Sequence, residues 1–132
     1  MEHLQELKNW LGGFGGCQDA MVDSTGAAPE DTGLFPMGVQ VVWNREDVLG
    51  NVTQRLRQSY VLRRVAPRGE AAAVWLANFQ HWVAENAQTA PVFGQMQSIR
   101  AEKGKLEKAA QAGLGIYAVT LTVEFTKEFT YG

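Results

Sequence analysis

The sequence predicts an α+β domain: an antiparallel or mixed sheet with long strands, packed on one face by two helices. Three observations predict it. Ile116–Thr130 alternates with strict period two, placing Val119, Leu121, Val123, Phe125 and Phe129 on one parity and Thr120, Thr122, Glu124, Thr126 and Glu128 on the other. Glu70–Asn86 instead repeats its apolar residues at helical spacing. The elements then run helix, strands, helix, strands along a chain of 132 residues, the size of one domain over 1–132.

Taken in order, Glu2–Leu11 reads as a short helix, with Leu4, Leu7, Trp10 and Leu11 on one stripe and Gly12-Gly13 ending it. Gly15-Gly16 continues as a pliable joint. Cys17–Val22 offers a short strand, and Asp23–Gly33 is a turn-rich loop. Val39–Trp43, after Phe35-Pro36, is a strand, Asn44–Asp47 a polar turn, and Val52–Val65 a long strand, the two strands forming a hairpin. Val52, Leu56, Tyr60 and Leu62 share one parity of the long strand, with Thr53, Arg55, Arg57, Ser59, Val61 and Arg63 on the other. Pro67-Arg68-Gly69 stops it. The helix over Glu70–Asn86 presents Ala71, Val74, Trp75, Leu76, Phe79, Trp82 and Val83 as its apolar face. Ala87–Gly94 is a loop and Gln97–Ala101 a strand by its position. Lys103–Gly113, polar and alanine-rich, reads as an exposed loop or a short helix. At ~3.3 Å per residue Ile116–Thr130 reaches on the order of 45 Å, so it is expected to overrun its sheet or bend at a bulge, its threonine and glutamate face wet.

Composition excludes several classes. Hydrophobic residues make up 45% and charged ones 20%, ordinary for a globular chain, and the net charge of -2 supplies no field for nucleic acid or an anionic membrane. Cys17, the single cysteine, excludes an internal disulfide, and with only His3 and His81 beside it no cysteine-rich zinc module can form. The first residues, Met1–Glu6, lack a basic region and an apolar run, and no stretch of about 20 apolar residues follows. No secretory signal and no membrane partner are expected, and the expected compartment is the cytosol or a particle built there.

The motifs that suggest chemistry lack its context. Gly113-Leu114-Gly115-Ile116-Tyr117-Ala118 matches G-x-G-x-x-A as a string, but it enters a strand where a dinucleotide site requires a helix N-terminus. Gly12-Gly13-Phe14-Gly15-Gly16 has no Lys-Ser/Thr and reads as a hinge, and Asn51-Val52-Thr53 is a glycosylation string without a secretory context. His81 belongs on the wet side of its helix and Cys17 in a buried position. No nucleophile elbow or carboxylate pair stands out, so no enzyme, cofactor or metal site is expected. Arg55, Arg57 and Arg63 share the polar parity of one strand. They read either as a sheet face balanced by Glu124 and Glu128 or as a contact face for a neighbouring subunit. Direct nucleic-acid recognition is the weakest reading, because no aromatics interleave there.

These segments together resemble a family. The helix E-H-L-Q-E-L-K-N-W-L, the strand V-T-Q-R-L-R-Q-S-Y-V-L-R-R, the helix W-L-A-N-F-Q-H-W-V-A-E-N and the closing G-I-Y-A-V-T-L-T-V-E-F, in that order, resemble small minor capsid proteins of tailed phages and prophages of Gram-positive bacteria, at the position of a tail terminator. The resemblance covers most of the chain. It implies a structural virion protein that forms a homo-oligomeric ring, most often a hexamer, at the head–tail junction and is assembled in the host bacterial cytoplasm. Its implied partners are the major tail protein and the head-completion or connector protein. Such rings use heterologous contacts, which the sequence would place on Arg55, Arg57 and Arg63 of one strand and Thr120, Thr122, Glu124, Thr126 and Glu128 of the other. The loops Asp23–Gly33 and Lys103–Gly113 would face the tail or the head. The rival is a small dimeric ligand-binding or regulatory α+β domain, which would need a pocket lined by Trp43, Tyr60 and Trp82.

Overall fold

The structure is a computed structural model and describes residues 2–15, 17, 20–23, 25, 26 and 30–129. Its elements are helix α1 (Glu2–Leu11), strands β1 (Met21–Val22), β2 (Thr32–Glu46) and β3 (Val52–Pro67), helix α2 (Glu70–Glu85), and strands β4 (Gln95–Ala109) and β5 (Leu114–Phe129). The five strands form one sheet in the order β1-β2-β3-β5-β4. Every neighbouring pair is antiparallel except the short β1–β2 pair, which makes the sheet mixed.

Both helices lie on one face. Leu7 and Leu11 of α1 and Leu76, Phe79 and Val83 of α2 are buried over Tyr60 and Leu62 of β3, Leu121, Val123 and Phe125 of β5 and Ile99 of β4. Phe14, just past α1, wedges between the helices, with ring centroids 5.4 Å from both Trp75 and Phe79, while Trp10 meets Trp82 at 4.8 Å. The stripe on α1 and the alternation on β5 therefore serve the same layer. α2 closes at Asn86, whose backbone N–H and side-chain amide both donate to the Trp82 carbonyl at 2.9 Å.

Five expectations change. β5 does not overrun its sheet: Leu114–Phe129 pairs residue for residue with Pro67–Val52, because β3 is equally long. β2 extends far beyond Val39–Trp43 and absorbs both Phe35-Pro36 and Asn44–Glu46. Bulges between Pro36 and Gly38 and between Val41 and Trp43 break its alternation, and Gly38, at φ 104°, takes a backbone that other residues avoid. The turn moves to Asp47–Asn51, where the Asp47 carboxylate accepts the backbone N–H of Leu49 at 2.8 Å and of Asn51 at 3.0 Å. Lys103–Ala109 is neither loop nor helix but the second half of β4, its polar side chains exposed because β4 is an edge, and a short 3-10 turn, Gln111–Gly113, leads into β5. On α2, Ala71 and Val74 are exposed and Ala72 is buried instead, since only one narrow stripe meets the sheet.

The strand expected over Cys17–Val22 shortens to Met21–Val22, with Gln18 and Asp19 outside the described residues. Gly16 of the expected hinge, Ser24 and Ala27–Pro29 of the expected loop and Thr130 at the end of the last strand also lie outside them.

Candidate assembly surface

The face of the sheet away from the helices carries the polar parities of β3 and β5. Arg57 stands opposite Glu124, Arg55 opposite Thr126, Ser59 opposite Thr122 and Val61 opposite Thr120. Antiparallel pairing puts directly opposed residues on the same face, so strand register alone assembles this set.

Glu124 is held from two sides. Arg55 donates Nε and Nη2 to its Oε2 at 3.4 and 3.3 Å, and Arg57 donates Nε and Nη2 to its Oε1 at 3.2 and 3.0 Å. The remaining Arg55 nitrogen, Nη1, donates to the Met96 carbonyl at 2.7 Å and to the Thr126 hydroxyl at 3.0 Å. Burial works against the Glu124 charge, but the hydrogen bonds from Arg57 and Arg55 and their positive charges outweigh it and hold the carboxyl below its ordinary range. Thr122 and Thr126 are buried and not wet, since β3 and β4 flank them on both sides and Arg55 reaches across Thr126. Thr120 is half-buried and Glu128 is exposed.

Arg63 pairs elsewhere. It donates to Glu107 of β4 at 2.8 and 3.2 Å and lies 4.6 Å over the Phe35 ring. Sequence reasoning missed Glu107 because that segment read as a loop or helix, and three register shifts along β4 hide any alternation. Of the predicted set, the structure gathers Arg55, Arg57, Glu124 and Thr126 into one hydrogen-bonded cluster. Arg63 joins a second pair, and Glu128 stands at the level of Thr53, toward the hairpin end.

The other sequence candidates are placed as follows. His81 is exposed on α2. Cys17 is buried, and burial pushes its thiol up to about 12 against the opposing charge of Arg64. The Gly113–Ala118 string opens β5 and not a helix. Trp43 lies opposite Arg55 on the helix-free face, whereas Tyr60 is buried opposite Leu121 on the helix face. Trp43, Tyr60 and Trp82 therefore cannot line one pocket. An open hollow of about 480 Å³ near the start of β5 is lined by the apolar Val65, Ala109, Leu114 and Ile116 together with Lys108 and Gln111. Among the described residues, no group of three or more His, Cys, Asp or Glu could hold a metal, and no helix is long and apolar enough to cross a membrane.

The outer half of β2 is an exposed arm at the sheet edge, paired only with β3, with Met37, Val39, Val41, Val42 and Trp43 exposed along it and Val48 and Leu49 exposed at the hairpin turn. Comparison with known families finds no matching family model, and comparison with curated proteins finds no similar protein.

Proposed function

We propose that this chain is a structural subunit of a tailed-phage or prophage virion, forming a ring at the head–tail junction that ends the tail tube and joins it to the head. The observation that carries the reading is the apolar arm. Four strands of 15 or 16 residues are more than an α+β domain of this size needs beneath two helices, and the surplus length of β2 projects uncovered apolar side chains. A run of exposed apolar side chains of this kind suits cover by another protein. The internal pairing of Arg55, Arg57 and Arg63 supports a rigid subunit over a catalytic or ligand-binding one. The major tail protein and a head-completion or connector protein are the partners this reading requires.

The test is native mass spectrometry of the purified chain across a concentration series, with negative-stain images of the same samples. Closed rings, or short tubes of stacked rings, are expected. A stable dimer with no larger species at any concentration would overturn the reading in favour of a dimeric ligand-binding domain.

A further inference from the structure

The sheet has two long edges, and they differ in charge. β2 is the outer strand on one side, covered by β1 only at Gly33 and Leu34. From Gly33 to Asn44 it carries no charged residue. β4 is the outer strand on the other side and divides in two. Arg100–Lys108 holds Arg100, Glu102, Lys103, Lys105, Glu107 and Lys108, with register shifts between Glu102 and Lys105 and between Leu106 and Lys108. Charges of this kind keep an edge from pairing with another chain. Gln95–Ile99 has a register shift of its own, between Gln95 and Ser98, but carries no charge, and Met96 is 83% exposed.

The uncharged stretches lie at the same level of the sheet. Gln40 stands opposite Arg57, Arg57 opposite Glu124 and Glu124 opposite Ser98; Trp43 reaches Gln95 in the same way through Arg55 and Thr126. At the other end Gly33, which β1 covers, is level with Lys105 through Arg63 and Ala118. Each edge is thus closed in one half and open in the other, and the open halves match. β2 also runs opposite to β4, because three antiparallel pairings separate them.

We propose that the chain binds a second copy of itself head to tail, the outer edge of β2 around Val39–Trp43 lying antiparallel along Gln95–Ile99 of the next copy's β4. The contact deepens the ring reading above and rests on it. A single repeated contact covers both exposed apolar strips, Met37, Val39 and Val41 (60, 58 and 50% exposed) on one side and Met96 on the other. A two-fold β2–β2 contact would leave Met96 uncovered, and a two-fold β4–β4 contact would leave Met37, Val39 and Val41 uncovered. Charge complements the fit at the hairpin end. Arg45 and Glu128 share the level of Thr53 and one face, and past Gln95, where β4 begins, β5 is itself the outer strand. Side-by-side copies therefore bring Arg45 of one toward Glu128 of the next. Identical contacts of this heterologous kind close into rings when the rotation between copies closes and run on as open filaments when it does not.

The test uses Val41→Arg and Met96→Arg in the full chain, read by native mass spectrometry, with Val74→Arg on the exposed side of α2 as control. Wild type and Val74→Arg should assemble, each edge variant alone should be monomeric, and an equimolar mixture should give a 1:1 heterodimer and nothing larger, since one intact β2 edge can meet one intact β4 edge. Melting temperatures matching wild type identify a loss of contact and not of fold, and Gln40→Lys with Ser98→Lys repeats the test should an arginine variant misfold. Rings that persist in both variants would overturn the contact and leave the ring reading standing. A Met96→Arg variant that assembles while Val41→Arg does not would replace the contact with a two-fold one. A wild-type chain that is monomeric throughout the concentration series would overturn the self-contact.

Discussion

Glu124 accepts four hydrogen bonds from two guanidinium groups, an arrangement that sets both its charge and its cost of removal. Replacing it by glutamine leaves Arg55 and Arg57 side by side on one face with a neutral acceptor between them. The expected loss is about 1–3 kcal/mol of folding stability at neutral pH. The pH dependence has a definite sign. The folded carboxyl titrates below its ordinary value of 4.5, so its contribution is present above that value and disappears as pH falls through the lower folded one. Urea melts of wild type and Glu124→Gln should therefore differ at neutral pH and converge in acid well below 4.5. A gap that stays constant would show that the ionised carboxylate is not what the arginines hold. The same geometry bears on assembly. Charge reversal at Arg55 or Arg57 disrupts the chain's own pairing before any contact between copies, so the uncharged strips on β2 and β4 are the cleaner place to probe one.

At the scale of elements, the packing of α2 separates two apolar residues that the sequence puts on one face. Phe79 is fully buried between Phe14, Trp75 and the sheet, while Val74 is 51% exposed. Phe79→Ala should cost about 3–5 kcal/mol, a cavity in the middle of the core, whereas Val74→Ala should stay within about 0.5 kcal/mol of wild type. Chemical denaturation followed by circular dichroism checks both. The helices and the two central strands were readable because one period runs through each, on β3 in spite of the interruptions at Gln54 and Gln58: Leu4, Leu7 and Leu11 on α1, Tyr60 and Leu62 on β3, and Val119 to Phe125 on β5 all face one core. The edge strands were not. Each bulge in β2 and β4 shifts the parity, and their exposed stretches keep no apolar row, so Ile99 is the one residue of β4 buried in the core cluster. The Arg55–Arg57–Glu124 cluster followed from two intact alternations in register. The Arg63–Glu107 pair did not, because one partner lay on a strand without a visible period.

At the scale of the whole molecule, stability and exposure divide along the sheet. The half under the helices carries the buried rows of β3 and β5, while the arm of β2 from Met37 to Glu46 is exposed throughout and joined to the body only through β3. Free energies of opening follow buried contact, so the two halves should not open together. In the dissociated chain, amide hydrogen exchange at Leu62, Leu121 and Val123 should be slow and near the global unfolding limit, and exchange from Val39 to Arg45 faster by orders of magnitude. The proposed contact through the β2 and β4 edges would add a partner to the outer row of β2, so on that proposal protection should rise on Val39–Trp43 and Gln95–Ile99 and change little on Arg100–Lys108. Exchange followed by mass spectrometry at concentrations on both sides of assembly reads this directly. A rise centred on the helix-free arginine face, with the arm unchanged, would move the contact from the edges of the sheet to the plane of Arg55, Arg57 and Glu124. On the proposed contact the long strands have two uses along one length: the buried rows of β3 and β5 hold the subunit together, and the exposed outer half of β2 offers an edge to a neighbour.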